Sequence, residues 1–427
     1  MQQTPEKSDD MTSSRDNTGA YGHRTGFMRN IRSLMNREPV TGALLLLCAM
    51  VSVAMASFPE TAWFDAIWDK EGSIRIGDFA IEMSLRHWIN DALMAVFFFL
   101  VGLEIKREMI FGHLTSPRKS ALPILAALGG MAVPALIYMA FNAGNPETAS
   151  GWGIPMATDI AFAIGIMALL GSRVPVGIKV FLTALAIVDD LGAIIVLALF
   201  YPSHSLHLGW LIFVVLVMTL LLMLNRSRYR GRTLYVILGI FLWYFTFRSG
   251  IHATIAGVLL AMTIPAKRPG GGYSGSQMQR FESGLHSTVN FLIMPLFALA
   301  NAGVALDFGI FSSGGIPTLA LGISAGLLIG KPVGILLLSF IGVKTGLASL
   351  PEGVRWRQIA AAGVLGGIGF TMSIFINSLA FDGKALTDMG KMSILLASAL
   401  AAVIGLAALA AVCRKDSAQH PEHSARK

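Results

Sequence analysis

The sequence predicts an all-α polytopic membrane protein with about twelve transmembrane helices. Of its 427 residues, 54% are hydrophobic and only 14% are charged, and the mean hydropathy is +0.65. A soluble fold needs more polar surface than this composition supplies, so the solvent of the chain is lipid. Hydrocarbon offers no hydrogen-bond partner to the backbone, and apolar runs of about 20 residues are therefore helices. The alternating pattern of barrel strands is absent.

Twelve apolar runs of this kind follow one another along the chain. They lie near residues 41–57, 86–104, 119–142, 152–170, 176–200, 207–224, 232–247, 249–264, 288–306, 317–342, 356–381 and 388–412. Together they predict one helical domain over residues 41–412. The polar segment 1–40 is expected to be a disordered cytoplasmic tail, and 413–427 a second cytoplasmic tail.

The net charge of +8 suits a nucleic-acid partner only if the basic residues are clustered on a soluble surface. Instead, with the N-terminus in the cytoplasm, most Lys and Arg fall in loops on that side, as in the run NRSRYRGR at 225–232. This alternation follows the positive-inside rule. It predicts a bacterial-type inner-membrane protein with both termini cytoplasmic, and a lipid bilayer as partner instead of nucleic acid.

The longest outer loop, 58–85, contains the segment SIRIGDFAIEM, in which apolar and polar residues alternate around Gly77 and Asp78. This pattern predicts a periplasmic β-hairpin. An isolated hairpin is marginal in water, so a partner chain is expected to hold it through its edge. A loop with incidental alternation is the alternative.

Two predicted spans have interrupted helices. One is 152–171, with Pro155 just before Ala157, Thr158 and Asp159, and the other is 357–380, with the run GVLGGIGFTMS. Each is the middle member of a group of three spans, and the two groups have opposite orientations, which is typical of inverted-repeat transporters. The alternative is that glycine and proline only allow close helix packing. Such packing is predicted for 317–342, where glycine recurs every four residues, at Gly322, Gly326, Gly330 and Gly334.

Four ionisable residues lie near the centres of their predicted spans: Asp159, Asp189, Asp190 and Lys331. Each costs about 2.5–3.5 kcal/mol at the bilayer centre, so the set opposes folding by roughly 10 kcal/mol before any pairing. Structural ion pairing between helices is one explanation. Apolar packing would hold the helices together better, which favours a functional role.

Adjacent residues leave a helix about 100° apart, so Asp189 and Asp190 cannot face the same partner. One is expected to face an aqueous cavity and the other Lys331. Asp190 and Asp159 on neighbouring helices resist simultaneous ionisation, and a proton or a cation relieves that repulsion. Sodium prefers oxygen ligands, which the carboxylates, the Thr158 hydroxyl and freed carbonyls supply. The sequence therefore predicts a transient sodium site that a proton can also occupy.

Seven blocks, in order, resemble the NhaA-type sodium/proton antiporters over residues 40–412. They are WINDALMAVFFFLVGLEIKRE, IPMATDIAFAIG, GSRVPVGIKVFLTALAIVDDLGAII, SGIHATIAGV, MPLFALANAGV, GLLIGKPVGI and GGIGFTMSIFI. The resemblance implies twelve spans, two of them broken and crossing at mid-membrane. It also implies electrogenic, pH-regulated exchange of cytoplasmic sodium or lithium for external protons by alternating access.

The resemblance also implies roles for residues. It assigns ion and proton binding to Asp189 and Asp190, support of the site to Thr158 and Asp159, and the mid-membrane cation to Lys331. It implies a pH-sensing region at Glu104, Arg107, Glu108, Glu282 and His286, for which a solvated rim of charges is the alternative. It implies a homodimer joined through the periplasmic hairpin. No cofactor is expected, since sodium, lithium and protons are substrates.

Two other classes of protein remain open. In an intramembrane aspartyl protease, Asp159 and Asp190 would share a proton as a catalytic dyad. The adjacent Asp189 and the nearby Lys331 count against that reading. In a cation channel, rings of carbonyls or acids would repeat along a pore. The charges here are few and lie at one depth, which favours a single occluded site in a transport protein that is not an enzyme.

Overall fold

The computed structural model describes residues 38–76, 79–112, 115, 117–201, 207–267, 272–305 and 317–419. Its main elements are α1 (Glu38–Ser57), α2 (Ala62–Trp68), β1 (Glu71–Ile76), β2 (Phe79–Ser84), α3 (Leu85–Ile110), α4 (Pro117–Asn142), α5 (Pro146–Met156), α6 (Ile160–Ala168), α7 (Val176–Phe200), α8 (Leu208–Arg226), α9 (Arg232–Ser249), α10 (Ile255–Thr263), α11 (Gln277–Asn301), α12 (Thr318–Lys344), α13 (Trp356–Gly366), α14 (Phe370–Ala380) and α15 (Lys384–Gln419). The all-α polytopic fold class is confirmed. Most of the predicted N-terminal tail, and residues 420–427, lie outside the described residues.

The predicted count of twelve spans is not reached in the part of the chain described. Eight helices are long and apolar enough to cross a membrane, or ten if each of two bent helix pairs is one span. The predicted spans 232–247 and 249–264 are the exceptions. Helix α9 carries Arg232 and Arg248 near its ends, and α10 has only 9 residues. At 1.5 Å per residue, α10 is about 14 Å long, too short for a bilayer core of about 30 Å.

Two helices extend past the predicted boundaries. Helix α15 continues to Gln419, past the predicted domain limit at residue 412. Arg, Lys, Ala and Gln favour helix, and no Gly or Pro interrupts this segment. Helix α11 begins at Gln277, well before the predicted residue 288, because the Ser276 side chain accepts a hydrogen bond from the Gln279 N–H at 3.1 Å and caps the first turn.

The two strands lie in the loop for which the sequence predicts a hairpin. They pair antiparallel, with Glu71 opposite Ser84 and Ile76 opposite Phe79. The turn residues 77 and 78 lie outside the described residues. Ser84 ends β2 and caps α3, since its hydroxyl accepts the His87 N–H at 3.2 Å. The strand pair therefore leads directly into the first turn of α3.

Both predicted helix interruptions are confirmed. Helices α5 and α6 meet at 44°, and α13 and α14 meet at 46°. In the first pair, the 3₁₀ segment Ser150–Met156 contains Pro155 and is followed by Ala157 in an extended conformation. Proline in a helix removes a backbone hydrogen bond and leaves carbonyls to find other donors. The inverted relation between the two three-span groups stays a prediction.

The glycine stripe of α12 packs against a neighbouring helix, as predicted, and that helix is α4. A Cβ atom added at Gly334 would lie 2.0 Å from the carbonyl oxygen of Gly129, and one added at Gly129 would lie 2.0 Å from that of Gly334. A Cβ atom added at Gly330 would lie 2.7 Å from the Cα of Pro134 of α4, and one added at Gly326 would lie 2.6 Å from the side chain of Pro155 of α5. Small residues thus let the two backbones touch, and α12 is held beside the broken helix α5–α6.

The bundle has two ends, which we name after their residues. The hairpin end carries Glu71–Ser84. At the opposite basic end, Lys106 of α3 lines the same cleft as Arg226, Arg228 and Arg230. Most buried apolar side chains form one cluster, whereas those of α8, α9 and α10 form a second cluster with parts of α3 and α11. The carboxylates predicted to be functional lie within the helices of the first cluster.

Candidate functional site

The two breaks in the bent helix pairs touch each other. The Asp159 N–H donates to the carbonyl oxygen of Ile368 at 2.7 Å, and the Thr158 hydroxyl donates to that of Gly366 at 2.8 Å. Carbonyls freed at the end of α13 are therefore satisfied by the residues that precede α6. The contact brings four half-helix ends together at one point.

Asp159 caps two helices at once. Its Oδ1 accepts the Phe162 N–H of α6 at 3.0 Å, and its Oδ2 accepts the Thr371 N–H of α14 at 3.2 Å. The Thr371 hydroxyl donates to the same Oδ2. Helix N-termini favour negative charge, and hydrogen bonds to a carboxylate are stronger than neutral ones. Asp159 is thus held in place by donors from α6 and α14, and it joins the two breaks.

Lys331 forms an ion pair with Asp189 in the interior of the protein. Its Nζ lies 2.6 Å from Asp189 Oδ2 and also donates to the carbonyl oxygen of Met156, the last residue of α5. A π-helical turn, Gly326–Gly330, immediately precedes Lys331 and shifts the direction of the side chains that follow it. The ammonium group therefore sits between two oxygen atoms that belong to different helices.

Asp190 faces away from that ion pair. Its side chain lines a cavity of about 190 Å³ together with Asp159 and Thr371. Within the described chain, Asp190 Oδ1 and Asp189 Oδ1 are buried and have no hydrogen-bond partner. The two neighbouring aspartates thus have different surroundings, one against an ammonium group and one against a cavity. The buried members of the site are Thr158, Asp159, Asp189, Asp190 and Lys331, all at most 2% exposed.

The cavity also reaches part of the predicted pH-sensing region. Glu104, Arg107 and His286 line it together with Asp190. Helix α3 carries Glu104 and Arg107 on the side of the cavity nearer the basic end, and α11 carries His286, which is exposed. The His286 Nδ1 lies 3.3 Å from the amide nitrogen of Asn290. The cavity therefore connects the carboxylates with a group of charges at the basic end.

Arg107 is the centre of that group. Its guanidinium pairs with Glu282 of α11 and lies 3.3 Å from the carboxylate of Glu108. Tyr273, in the loop before α11, donates its hydroxyl to Glu282. Burial raises the pKa of Tyr273, and the Glu282 carboxylate raises it further. The phenol therefore stays protonated and remains a donor at any physiological pH.

The oxygen atoms near the breaks belong to carboxylates, the Thr158 hydroxyl and backbone carbonyls, which are ligands that hard cations prefer. Among the described residues, no three His, Cys, Asp or Glu side chains converge as a metal site would require. A cleft of about 990 Å³ at the basic end is lined by Lys106, Arg226, Arg228, Arg230, Lys267 and Arg280, and its described lining includes no acidic residue. That cleft repels cations, so the small cavity beside Asp190 is the candidate cation site.

Three residues that contribute to the site are not identified from the sequence: Thr371, Met156 and Tyr273. Thr371 lies in the motif GGIGFTMSIFI, just after the second break. Its hydroxyl has the same place at that break as the Thr158 hydroxyl has at the first, and this similarity could have identified Thr371 from the sequence. The Met156 carbonyl acts through the backbone and leaves no mark in the sequence. Tyr273 reaches Glu282 across a loop, and no periodic pattern predicts that contact.

Comparison with known proteins identifies the family. The family model described as Na+/H+ antiporter 1 matches residues 32–409. The Na(+)/H(+) antiporter NhaA of Citrobacter koseri is 48% identical over 88% of this chain and 97% of its own length. The NhaA proteins of Shewanella amazonensis and of Escherichia coli O1:K1 are 49% and 47% identical, over 95% and 97% of their lengths. The chain therefore belongs to the NhaA family of Na+/H+ antiporters, which are transport proteins and not enzymes.

Proposed function

We propose that this protein exchanges cytoplasmic sodium or lithium for external protons by alternating access around Asp189 and Asp190. The proposal rests on one observation: Asp189 Oδ1 and Asp190 Oδ1 are buried without a hydrogen-bond partner in the described chain. A buried carboxylate oxygen without a donor is costly, and a proton or a cation removes that cost. Because either one neutralises the same oxygen, the two compete for it.

Sodium enters from the cavity and meets Asp190 first. The Thr158 hydroxyl and backbone carbonyls near the breaks complete its oxygen shell. Asp159 is already occupied by three donors from α6 and α14. It therefore positions the breaks, and Asp190 carries the exchangeable proton.

Lys331 makes the exchange electrogenic. Its ammonium group occupies Asp189 Oδ2 and the Met156 carbonyl, two oxygens that also suit sodium. When sodium takes these oxygens, Lys331 loses its stabilising partners in a buried environment and releases a proton. Asp190 releases another. Two protons then leave for each sodium that binds, so one net charge moves in each cycle.

Regulation by pH is assigned to the group at the basic end: Glu104, Arg107, Glu108, Glu282 and His286. Three of these line the cavity through which sodium enters, and Arg107 joins α3 to α11 through Glu282. A change in the charge of Glu104 or His286 alters the potential along the cavity directly. It also alters the ion pairs that set the distance between the two helices.

The basic end is proposed to face the cytoplasm of a bacterial inner membrane, because Arg226–Arg232 and both termini follow the positive-inside rule. The hairpin end then faces the periplasm. Strands β1 and β2 form a two-stranded sheet, so each has one edge that the other does not pair, and such edges suit a homodimer in which the hairpins of two copies pair. A catalytic dyad of Asp159 and Asp190 is disfavoured, because three donors from α6 and α14 already occupy the Asp159 carboxylate.

Everted membrane vesicles acidified by respiration test the proposal. Sodium or lithium is expected to dissipate the pH gradient in vesicles that contain the parent protein, and choline is not. The variant Asp190→Asn is expected to abolish the response, because an amide cannot exchange a proton. Asp382→Asn is the matched control, since Asp382 is an exposed carboxylate at the hairpin end. An unchanged sodium response in Asp190→Asn contradicts the site assignment.

A further inference from the structure

The cavity separates two walls of the bundle. One wall consists of α3 and α11, which contribute Glu104, Arg107 and His286. The other consists of α6, α7 and α14, which contribute Asp159, Asp190 and further residues, while α1, which contributes Thr41, packs against both α6 and α11. Transport across the protein requires these walls to part at the hairpin end after they close at the basic end. The contacts that join them at the hairpin end therefore hold that exit shut.

An aromatic layer closes the seam just beyond the cavity. Phe375 of α14 packs against Phe98 of α3 and Phe297 of α11, with ring centroids 5.7 and 6.1 Å apart. All three rings are at most 1% exposed. The layer excludes water, yet it carries no charge that fastens one wall to the other. Polar contacts that join the two walls must therefore lie closer to the surface of the hairpin end.

Helices α3 and α11 are joined into one unit at their hairpin ends. The side-chain amides of Asn90 and Asn301 donate to each other at 3.1 and 2.8 Å. Arg86, one turn farther out on α3, donates to the Ala300 carbonyl at the end of α11 at 2.5 Å. The same guanidinium reaches Asp65 at 2.7 Å and Asp69 at 2.9 Å. Arg86 thus fixes the α2 segment to the α3–α11 wall.

We infer that Asp65 and Lys384 form an outer latch between the two walls, and that Arg86 positions Asp65 for it. Lys384 begins α15, which packs against α13 and α14, and its Nζ lies 3.5 Å from Asp65 Oδ2. The other carboxylate oxygen, Oδ1, is held by Arg86. Asp69, Asp388 and Lys391 are the remaining charges nearby. The latch closes the hairpin end while the cavity is open at the basic end. This inference rests on the proposed exchange function.

Cross-linking tests the latch. In a chain whose native Cys48 and Cys413 are replaced by Ala, Asp65→Cys and Lys384→Cys are joined with a short bismaleimide. Both positions are at least partly exposed, so the substitutions are tolerable. Sodium-driven dissipation of the pH gradient is expected to fall in proportion to the cross-linked fraction. A long polyethylene-glycol bismaleimide leaves the walls free to part. Exchange after this treatment is expected to equal that of the same double-cysteine chain before cross-linking.

The outcomes separate this inference from the proposed function. Full exchange after complete short cross-linking overturns the latch and leaves the exchange function intact. Absence of any sodium response in the parent protein overturns the exchange function itself. In that case the rate of short cross-linking still tests the positioning role, because Arg86→Gln is expected to slow it severalfold and Arg86→Lys to restore part of it. An unchanged rate in Arg86→Gln contradicts that role.

Discussion

Replacing Lys331 with Met tests whether the buried ion pair between Lys331 and Asp189 stabilises the folded protein. The substitution keeps most of the side-chain volume but leaves Asp189 Oδ2 and the Met156 carbonyl without their donor. Removing one partner of a buried pair costs about 3–5 kcal/mol, because an uncompensated charge remains. At about 2 °C for each kcal/mol in a large domain, the unfolding temperature is expected to fall by roughly 5–10 °C.

The assay is thermal unfolding of the purified protein in detergent, followed by tryptophan fluorescence at pH 8 and pH 5. The loss is expected to shrink at any pH at which the unpaired Asp189 is protonated, because the uncompensated charge is then gone. Lys384→Met is the matched control: Lys384 is 79% exposed, and such pairs contribute about 0–1 kcal/mol. The double variant Lys331→Met with Asp189→Leu is expected to recover stability, since it removes both charges.

An unfolding temperature of Lys331→Met equal to that of the parent refutes the reasoning. So does a double variant less stable than Lys331→Met, because the two residues would then contribute independently.

Three further predictions concern the site, the packing and the outer ion pairs. Thr371→Val is expected to raise the KM for sodium, because Asp159 loses the hydroxyl donor. The effect of this variant on folding is expected to be small, because Asp159 keeps its backbone donors. Gly334→Ala is expected to prevent accumulation of folded protein, because its Cβ would meet the opposing backbone at 2.0 Å. Burial raises the pKa of Asp65, but its bond with Arg86 holds the pKa below its ordinary value. The Asp65 pair therefore stabilises the fold above about pH 4 and is lost as pH falls further.

Each of these predictions has a control. Thr345→Val, at an exposed hydroxyl bonded to its own helix, is expected to leave KM unchanged. Gly209→Ala, where an added Cβ meets nothing within 4 Å, is expected to accumulate normally. The stability difference between the parent and Asp65→Asn is expected to narrow between pH 5 and pH 3. The argument about Thr371 is contradicted if Thr345→Val also raises the KM for sodium. The packing argument is contradicted if Gly334→Ala accumulates as folded protein. The ion-pair argument is contradicted if the stability difference between the parent and Asp65→Asn is the same at pH 5 and pH 3.

The sequence predicts the parts of the fold that depend on local chemistry. Composition predicts membrane helices, and Pro155 and the glycines of the GGIG run predict the two breaks. The four-residue glycine repeat predicts close packing on one face of α12, but it does not identify α4 as the partner. Span limits are harder to predict, because hydropathy does not register caps. The Ser276 cap starts α11 early, and the short helix α10 is apolar enough to resemble a complete span.

The sequence predicts those residues of the candidate site that carry a charge inside a membrane span. The cost of burying Asp189, Asp190 and Lys331 identifies them, and the 100° angle between neighbours predicts that the aspartates face different partners. The double capping by Asp159 is not predictable, because it depends on two helix N-termini meeting in space. The Met156 carbonyl is missed for the same reason, since a backbone ligand depends on where the helix unwinds.

The central claim is that sodium and protons alternate on the same buried carboxylates. Proton release from purified, weakly buffered protein, followed with a pH-sensitive dye as sodium is added, tests it most directly. The parent is expected to release protons in a saturable way with sodium and not with choline, and Asp190→Asn is expected to release fewer. If sodium expels no protons from the parent, or as many from Asp190→Asn, the exchange mechanism is contradicted.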